Sequence, residues 1–573
     1  MLHILGWKAP ERPPATAPAV LLSAPSHQPV GTVAPSAAAP LNILYVVLED
    51  FGVLGTSTFT SVNGSANGTA APPKTPHLER LAARGVAFRH AYANSPICNP
   101  SRTSILVGRR PSYTRVFNNN DRQETRMPAG TPTIVDFLRA ADPTASIACG
   151  GGKVFHEACD SSSRGFATIP TSQRAGANSR DDGQTNDQHK VTDAISLLRA
   201  YAANRTRFFL AIGLSATHVM RPAGLCSHRA ATLAGLDATP RALNAIALPG
   251  RRGHERRPPL VTWPNYDLKA SFSMDTRKSS MSQREARIAI ASYHACAQHV
   301  DSQIGRVIDA LDSLHLAPRT AVIVHSDHGF SLGGHGRWSK YSLYEEVVRV
   351  PLVIVAPGMR RNDAVDEIVE GVDVAPTLLD LWGVRRGGDR DDGAEPPRPT
   401  YMLDERVVHF DGLSLRPLLL DGGAHAGAVI PTWPKWYARS ELHEAFRLND
   451  LTRPLAGSSE PADDGKTWPG AQLWVRTRRF AYTAYLEQVH TTNQSSEGQH
   501  GLIGAYRLID ETMYDTGGAD PLEANNLAYD VRHASQRTRL LELCLRDWGV
   551  KLVGPRDATR KVRAAALKAK VKA

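Results

Sequence analysis

Short, continuous runs of apolar residues, each followed by polar residues, are the clearest pattern along the chain. Three of them lie at residues 41–48, 207–213 and 320–325. Runs of this length without alternating polar positions are typical of strands that are covered on both faces, as in parallel sheets. They predict the central strands of a buried sheet.

Segments with helical periodicity lie between these runs. Residues 282–314 repeat apolar side chains at intervals of three and four positions. Residues 75–85 begin with Thr-Pro and end at a glycine, and a further helix is predicted near residues 374–382. Alternating strands and helices predict an α/β fold with a large, doubly wound, mostly parallel sheet.

The pattern changes in the last third of the chain. Beyond about residue 425 the candidate strands are shorter, for example at residues 472–476 and 479–485, and they predict a smaller antiparallel C-terminal subdomain. The charged stretch 387–400, rich in Pro and Gly, is predicted to be a surface loop. The predicted organisation is a disordered Pro/Ala-rich segment (1–40), a main α/β domain (41–425), the C-terminal subdomain (426–552) and a basic tail (553–573).

The net charge of +11 is concentrated near the C-terminus. Residues 551–573 contain eight Lys or Arg and one Asp, a net charge of +7, which leaves +4 for the other 550 residues. Because no basic surface interleaved with aromatic residues is visible elsewhere, no nucleic-acid partner is predicted. No stretch approaches the length of apolar sequence that crosses a membrane, so no membrane span is predicted either.

Cysteine and glycosylation patterns bear on the compartment. Six cysteines in a chain of 573 residues do not indicate a disulfide scaffold. Four acceptor sequences for N-glycosylation favour a glycoprotein of the secretory pathway, lysosomal-like or extracellular, although the N-terminus has no clear signal peptide. The acceptor positions are Asn63, Asn67, Asn204 and Asn493.

Acidic residues follow two of the predicted strands. Glu49 and Asp50 come directly after the first strand, and Asp327 and His328 follow the third. In open α/β sheets the carboxyl ends of the strands border the binding crevice. Oxygen ligands gathered there suit Ca²⁺ or Mg²⁺, and a metal site is therefore predicted at this edge of the sheet.

Four motifs occur in an order and spacing that resemble one enzyme family. The motifs are Cys98-Asn-Pro-Ser-Arg102, Gly152-Lys-Val-Phe-His156, the segment from Ser326-Asp-His-Gly to Ser342, and Asp520-Pro-Leu-Glu-Ala-Asn-Asn-Leu-Ala528. Together they resemble the type I, formylglycine-dependent sulfatases, in particular the iduronate-2-sulfatase branch. The resemblance extends from about residue 41 to 530. It implies an alkaline-phosphatase/sulfatase-like fold in which residues 41–425 are the catalytic domain.

The resemblance also implies a nucleophile and a metal ion. Cys98 would be converted to formylglycine by a formylglycine-generating enzyme, and the hydrated aldehyde would attack a sulfate ester. A serine or an unmodified cysteine lacks the second hydroxyl that is needed to expel the sulfate afterwards. One Ca²⁺ ion would be held by Glu49, Asp50, converted Cys98, Asp327 and His328.

The remaining implied catalytic residues bind the sulfate group or move protons. Arg102 would orient the formylglycine and offset negative charge, and Lys153 and Lys340 would bind sulfate oxygens. His218 or Lys340 would protonate the leaving alcohol. His156 would accept the proton that is lost when sulfate is released.

The implied function is hydrolysis of a sulfate ester, on a carbohydrate that carries a uronate. Arg337 and Trp338 suit this substrate, because arginine pairs with a carboxylate and an indole stacks on a sugar ring. Packing of their loop against the C-terminal subdomain is an equal alternative. For the function itself, a phosphonate or phosphate ester hydrolase of the same superfamily and a non-catalytic, anion-binding relative also stay open.

Three departures from the family pattern bear on substrate and activity. Glu49 stands where the family has Asp, which favours the non-catalytic alternative. Ala216 and Thr217 stand where related enzymes have Lys-Pro, and Gly334 stands where they have an acidic residue. His335, which follows, is expected to support the site without taking part in the reaction.

Overall fold

The computed structural model of the protein describes residues 40–59, 72–156, 167–168, 183–218, 246, 248, 282–390, 398–420, 433–443, 470–489, 505–518, 520 and 523–553. Apart from residues 40 and 553, the segment predicted to be disordered and the basic tail lie outside the described residues. None of the described helices combines the length and the hydropathy that a membrane span requires.

The strands of the described residues follow one another along the chain from β1 to β18. They are β1 (Asn42–Leu48), β2 (Val86–Tyr92), β3 (Ser146–Cys149), β4 (Ala167–Thr168), β5 (Phe208–Leu214), β6 (Thr320–Ser326), β7 (Ser331–Leu332), β8 (Trp338–Ser339), β9 (Leu352–Val355), β10 (Asp363–Glu370), β11 (Arg386–Arg390), β12 (Arg398–Leu403), β13 (Arg406–His409), β14 (Tyr437–Leu442), β15 (Gly470–Thr477), β16 (Ala481–Val489), β17 (Ala505–Tyr514) and β18 (Lys551–Leu552).

The α-helices and shorter 3₁₀ turns connect these strands. The α-helices are α1 (Pro76–Ala82), α2 (Cys98–Val107), α3 (Pro111–Thr114), α4 (Gln123–Arg126), α5 (Ile134–Ala141), α6 (Gly183–Asn204), α7 (Gln283–Ser313), α8 (Glu345–Val348), α9 (Val374–Trp382), α10 (Arg416–Leu419) and α11 (Ala534–Asp547). The 3₁₀ turns are Val53–Gly55, Ala317–Arg319, Gly334–Gly336, Gly371–Asp373 and Val531–His533. The predicted helices at 75–85, 282–314 and 374–382 are confirmed as α1, α7 and α9.

The largest sheet has the strand order β10-β2-β9-β6-β1-β5-β3-β4. β9 runs antiparallel to both of its neighbours, whereas every other neighbouring pair in this sheet is parallel. The three apolar runs form β1, β5 and β6, which are adjacent. The predicted mostly parallel sheet is thus confirmed.

The position of β1 in the sheet explains why its sequence is hydrophobic from Ile43 to Leu48. Ile43 and Tyr45 belong to the hydrophobic cluster on one face of the sheet, and Leu44 and Val46 belong to the cluster on the other face. α5 and α9 contribute to the first cluster, while α6 and α7 contribute to the second. Helices on both faces make the sheet doubly wound, as predicted.

The predicted C-terminal subdomain is confirmed as a second sheet with the order β14-β15-β16-β17-β18. Its first four strands pair antiparallel, and β18 joins β17 in parallel. α11 packs on this sheet through Leu540, Leu541 and Cys544. The proposed boundary between 41–425 and 426–552 falls among residues that are not described, so these domain limits stay predictions.

The predicted surface loop at 387–400 is wrong for the part of it that is described. β11 and β12 pair antiparallel there, and β13 adds a third strand. Tyr401 on β12 is fully buried, and its ring meets Phe410 edge-on at 5.2 Å. Charge, Pro and Gly suggested a loop, but backbone pairing with a neighbouring strand and one buried aromatic anchor outweigh that composition.

Candidate active site

Adjacent parallel strands bring the predicted site residues to one edge of the large sheet. In the register of β1 with its neighbours, Leu48 lies opposite Leu214 on β5 and Ser326 on β6. The residues that follow these three positions therefore meet in space. They are Glu49 and Asp50 after β1, Ser215 to His218 after β5, and Asp327 and His328 after β6.

The N-terminus of α2 holds the cysteine. Cys98 is the first helical residue, it is fully buried, and its thiol is not in a disulfide. Its Sγ atom lies 3.2 Å from Lys340 Nζ, 3.3 Å from His328 Nε2 and 3.8 Å from Asp50 Oδ1. Burial opposes ionisation of the thiol, but Lys340 and His328 lower the pKa of Cys98 to about 6. The surroundings of residue 98 therefore favour a nucleophile in its anionic form.

Four side chains around this position could hold a metal ion. Asp50, Cys98, Asp327 and His328 are all buried, and their ligand atoms lie within 4.8 Å of one another. The Nδ1 atom of His328 lies 2.9 Å from the carbonyl oxygen of Gly329, so its Nε2 atom can face the group, as in many metal-binding histidines. The two carboxylates supply oxygen ligands of the kind that calcium prefers. The carboxylates and the imidazole therefore fit a divalent ion such as calcium, whereas the Cys98 sulfur is a softer ligand.

Asp50 is held in a strained backbone conformation. Its φ angle is 55°, in the left-handed region that aspartate adopts less readily than glycine or asparagine. Its backbone N–H donates to Asp327 Oδ1 at 3.0 Å, and Lys340 Nζ donates to both of its carboxylate oxygens at 3.1 Å. Lys340 lies between two further residues with positive φ, Ser339 (75°) and Tyr341 (61°). Strain concentrated in this way is typical of functional sites.

Arg102 lies one turn further along α2 and is only 1% exposed. Its Nε atom donates to Asp327 Oδ2 at 2.9 Å, and its Nη2 atom lies 2.8 Å from the same oxygen. Its Nη1 atom donates to the backbone carbonyl of Lys153. The guanidinium is therefore fixed between the four-residue group and the segment that carries Lys153.

Glu49 lies near Cys98 but contacts a different set of side chains from Asp50. Its Oε1 atom lies 2.8 Å from Lys153 Nζ, 3.8 Å from His218 Nε2 and 3.9 Å from Arg102 Nη2. It forms a second set of possible metal ligands together with Cys98 and His218, outside the four-residue group. Burial opposes its ionisation, but His218, Lys153 and Arg102 hold the pKa of Glu49 well below its usual range. Its predicted role as a calcium ligand stays a prediction.

The two candidate proton carriers lie in different electrostatic environments. Burial lowers the pKa of His218 and the Glu49 carboxylate raises it, with a net increase. At His156, burial and the neighbouring Lys153 and Arg102 act together and lower the pKa to about 3. Environments that push two pKa values apart are typical of an acid and a base that work in one reaction.

His335 stands beside the site on the loop that leads to Lys340. Its ring stacks on that of Tyr344, with the two centroids 3.9 Å apart, and Tyr514 from β17 lies 6.2 Å from both. This packing agrees with a supporting role, which stays a prediction.

Asp187 is a residue that the sequence patterns do not single out. Its buried carboxylate accepts hydrogen bonds from the backbone N–H groups of Ser215 at 2.9 Å and Ala216 at 2.8 Å. The Lys190 ammonium also donates to it, at 2.8 Å. Asp187 thereby holds the turn that carries His218. No local signal could have found it, because the partners lie 28 and 29 positions away in sequence.

Of the two alternatives for Trp338, stacking on a sugar ring and packing within the protein, the structure favours packing within the protein. The Trp338 side chain is 9% exposed and belongs to a hydrophobic cluster with Tyr293 of α7 and with Phe330. Pairing of β8 with β7 fixes the indole in this position. The ring is more stable in the core than at the surface because its large apolar area is removed from water.

The negative charges of the carboxylates in the site equal the positive charges of its permanent cations. Three carboxylates belong to Glu49, Asp50 and Asp327, and three permanent cations belong to Arg102, Lys153 and Lys340. A divalent cation added to this set leaves a net charge of about +2. Such a positive charge offsets the negative charges of an anionic ester and of an attacking nucleophile. The arrangement therefore suits displacement at sulfur or phosphorus.

Comparison with known proteins agrees with this chemistry. Residues 41–384 match the family model described as Sulfatase. The chain belongs to the sulfatase family. Iduronate 2-sulfatase of Mus musculus is 27% identical over 365 residues, which are 56% of this chain and 60% of the mouse protein. The match thus spans less than two thirds of the length of the mouse protein.

Solved structures confirm the sulfatase-like fold. A putative sulfatase from Bacteroides thetaiotaomicron VPI-5482 has a TM-score of 0.55 and 20% identity, and the match covers 89% of this chain and 93% of the other. A phosphonate monoester hydrolase from Silicibacter pomeroyi has a TM-score of 0.58 and 21% identity, with 88% and 95% covered. At such identities the likeness shows a shared fold, and the reaction must be argued from the site.

Proposed function

We propose that this protein hydrolyses sulfate esters with a formylglycine at position 98 and one calcium ion. One observation carries the proposal. The Sγ atom of Cys98 lies within reach of both sets of possible metal ligands, with Lys340 Nζ 3.2 Å away. A nucleophile at this position would lie next to a bound metal ion and next to cations that bind sulfate.

Asp50, Asp327, His328 and the oxygen at residue 98 would hold the calcium ion. When bound, calcium supplies positive charge that acidifies and positions an oxygen nucleophile. The formylglycine supplies that oxygen together with a second hydroxyl, which allows the sulfate to be released. Neither contribution is available to an unmodified cysteine.

The other side chains of the site bind the anion and move protons. Arg102 is locked by Asp327 and presents a permanent charge beside residue 98. Lys153 and Lys340 bind sulfate oxygens from two sides. His218 protonates the leaving alcohol, in keeping with its raised pKa, and neutral His156 takes the proton that is lost on release of sulfate.

The proposed substrate is a sulfated carbohydrate, with a uronate-bearing sugar as the first candidate. Support comes from the match to an iduronate 2-sulfatase and from the motifs shared with that branch. Arg337 remains the candidate partner for a carboxylate, since Trp338 is buried. The missing cation at Ala216 argues for a sugar that differs from iduronate itself.

The proposed compartment is the secretory pathway, lysosomal-like or extracellular. Cys149 and Cys296 are both disulfide-bonded, which is typical of proteins from oxidising compartments. Asn204 lies exposed at the end of α6, where an N-linked glycan can be attached. Maturation there would bring the chain into contact with a formylglycine-generating enzyme.

Two measurements on the purified protein test the proposal. Mass spectrometry of the peptide that spans Cys98 is expected to show the aldehyde. Values of kcat/KM are then compared for sulfated uronate disaccharides, neutral sulfated sugars, an aryl sulfate, choline sulfate and a phosphonate monoester. Faster turnover of the phosphonate would favour the phosphonate hydrolase, and an unmodified cysteine with no turnover would favour the non-catalytic relative.

A further inference from the structure

Glu49 and Asp50 are consecutive residues, but their carboxylates contact different side chains around Cys98. Asp50 contacts Lys340 and belongs to the four-residue metal group. Glu49 contacts Lys153 and approaches His218, outside that group. The left-handed φ of Asp50 turns the chain between them.

Hydrogen bonds with two partners hold the backbone of Glu49 in place. Its N–H donates to the carbonyl oxygen of Leu214 at 2.9 Å, and its carbonyl oxygen accepts a hydrogen bond from the Thr217 hydroxyl. The side chain is 3% exposed, so its carboxylate needs partners within the protein. Those partners are Lys153, His218 and Arg102.

The cations around Glu49 are groups that the proposed function assigns to the substrate, since Lys153 binds a sulfate oxygen and His218 protonates the leaving alcohol. The Lys153 ammonium donates to its Oε1 atom at 2.8 Å, and His218 and Arg102 approach the same oxygen at 3.8 and 3.9 Å. They come from three separate elements, which are the segment after β3, the turn after β5, and α2. An anion placed between these three cations interacts favourably with each of them.

We propose that Glu49 is an internal counter-anion of the sulfate-binding cations rather than a calcium ligand. The inference rests on the proposed function, because it assigns these cations to the substrate. A sulfate group must compete with the Glu49 carboxylate for Lys153 and His218. With its extra methylene relative to aspartate, glutamate extends its carboxylate to Lys153 Nζ at 2.8 Å, outside the four-residue metal group.

A competing carboxylate affects affinity differently from a lost metal ligand. It weakens the binding of free sulfate and of sulfate esters. Removing its charge while keeping its shape, as in Glu49→Gln, therefore strengthens sulfate binding. The same change affects calcium only through the loss of one nearby negative charge.

Calcium binding is measured by titration calorimetry on the full chain after divalent ions have been stripped. Glu49→Gln is expected to weaken calcium binding by no more than about threefold, whereas the control Asp50→Asn weakens it by more than about a hundredfold. Asparagine adopts the left-handed conformation of residue 50 readily, so this control keeps the backbone. Equal losses of calcium affinity in the two variants would overturn the proposal.

Inorganic sulfate is titrated separately into the calcium-loaded proteins. Glu49→Gln is expected to bind sulfate about tenfold more tightly than the unchanged protein. Glu49→Asp, whose shorter side chain withdraws from Lys153, is expected to do the same and serves as the second variant if Glu49→Gln does not fold. Unchanged sulfate affinity in the folded variants would refute the role of Glu49. Neither titration needs turnover, so a failure of the proposed sulfatase activity would be seen independently on the ester panel.

Discussion

A small substitution at residue 98 can test the role of this residue in the reaction without disturbing the fold. Cys98 belongs to none of the hydrophobic clusters of the described residues, and its close partners are polar side chains. Its replacement by alanine removes one sulfur atom and leaves the start of α2 with a good helix former. The substitution should therefore change the stability of the fold only slightly, whereas the reaction loses its nucleophile.

We predict that Cys98→Ala lowers kcat/KM by at least about a hundredfold while the protein stays folded. Initial rates on the best substrate of the ester panel test the first part. Thermal unfolding tests the second, with a shift of the melting temperature of only a few degrees expected. A well-folded variant with full activity would exclude residue 98 as the nucleophile.

A second prediction at this scale concerns the metal. Removal of divalent ions is expected to abolish turnover, and calcium should restore it better than zinc because oxygen atoms predominate among the proposed ligands. The rates are measured after chelation, and then after each ion is added back at the same concentration. Unchanged rates in protein shown to be metal-free would contradict a role for the ion.

Single residues differ in how far the sequence could predict them. Cys98, Arg102 and Lys340 were predicted because each belongs to a motif with a fixed spacing, and the structure brings all three together. The direction of the Glu49 side chain could not be predicted, because it depends on cations from three separate elements. Asp187 could not be predicted either, since its partners are backbone N–H groups of a distant turn.

The secondary-structure elements also differ in whether their own sequence or their contacts with distant residues determine them. The strands β1, β5 and β6 were predicted from continuous apolar runs, because burial on both faces favours apolar residues at the central positions of each strand. The strands β11 and β12 were missed because their composition resembles that of a loop. Their strand geometry comes from pairing with one another, a property that neither segment has by itself.

The link between α6 and the turn after β5 leads to a third prediction. Asp187→Asn replaces one acceptor oxygen by an NH₂ group that faces the N–H donors of Ser215 and Ala216. The turn that carries His218 should therefore shift, and kcat is expected to fall roughly tenfold. The limb of the pH–rate profile that depends on His218 should move as well.

Asp193→Asn serves as the matched control for this change, because Asp193 lies on the same helix and is partly exposed. It should leave kcat and the pH profile unaltered. If Asp187→Asn lowered the melting temperature but left both kinetic readouts unchanged, Asp187 would be a structural residue and would not position His218.

At the scale of the whole molecule, the two sheets meet around Glu345 at the start of α8. The Arg476 guanidinium from β15 and the Tyr92 hydroxyl from β2 both donate to Glu345 Oε1, and the Glu345 backbone N–H donates to Glu523 at 2.8 Å. The loop that carries Lys340 ends here, so the C-terminal subdomain is joined directly to the site. The sequence predicted both sheets and, as one of two alternatives, packing of this loop against the C-terminal subdomain, but the contacts at Glu345 depend on tertiary packing that no local pattern reveals.

Glu346, the next residue, gives the junction an expected pH dependence. Burial raises its pKa to about 7, and the Ser331 hydroxyl and Arg337 offset only part of that rise. Between roughly pH 4 and 7 the folded protein therefore holds a proton that the unfolded chain has released. The stability that this proton contributes is complete below the unfolded-state pKa and is lost as the pH rises through about 7.

We predict that Glu346→Gln makes the melting temperature less dependent on pH. Glutamine keeps an oxygen that accepts the Ser331 hydrogen bond but cannot ionise, so the variant should lose less stability than the unchanged protein between pH 5 and pH 8. The difference should be on the order of 2 kcal/mol, because partial exposure of the side chain reduces the effect of the full pKa shift. Thermal unfolding is measured at both pH values, with Glu405→Gln in the exposed turn between β12 and β13 as the matched control. Parallel pH dependence in Glu346→Gln and the unchanged protein would show that Glu346 is already ionised in the folded state, and that the junction tolerates its charge.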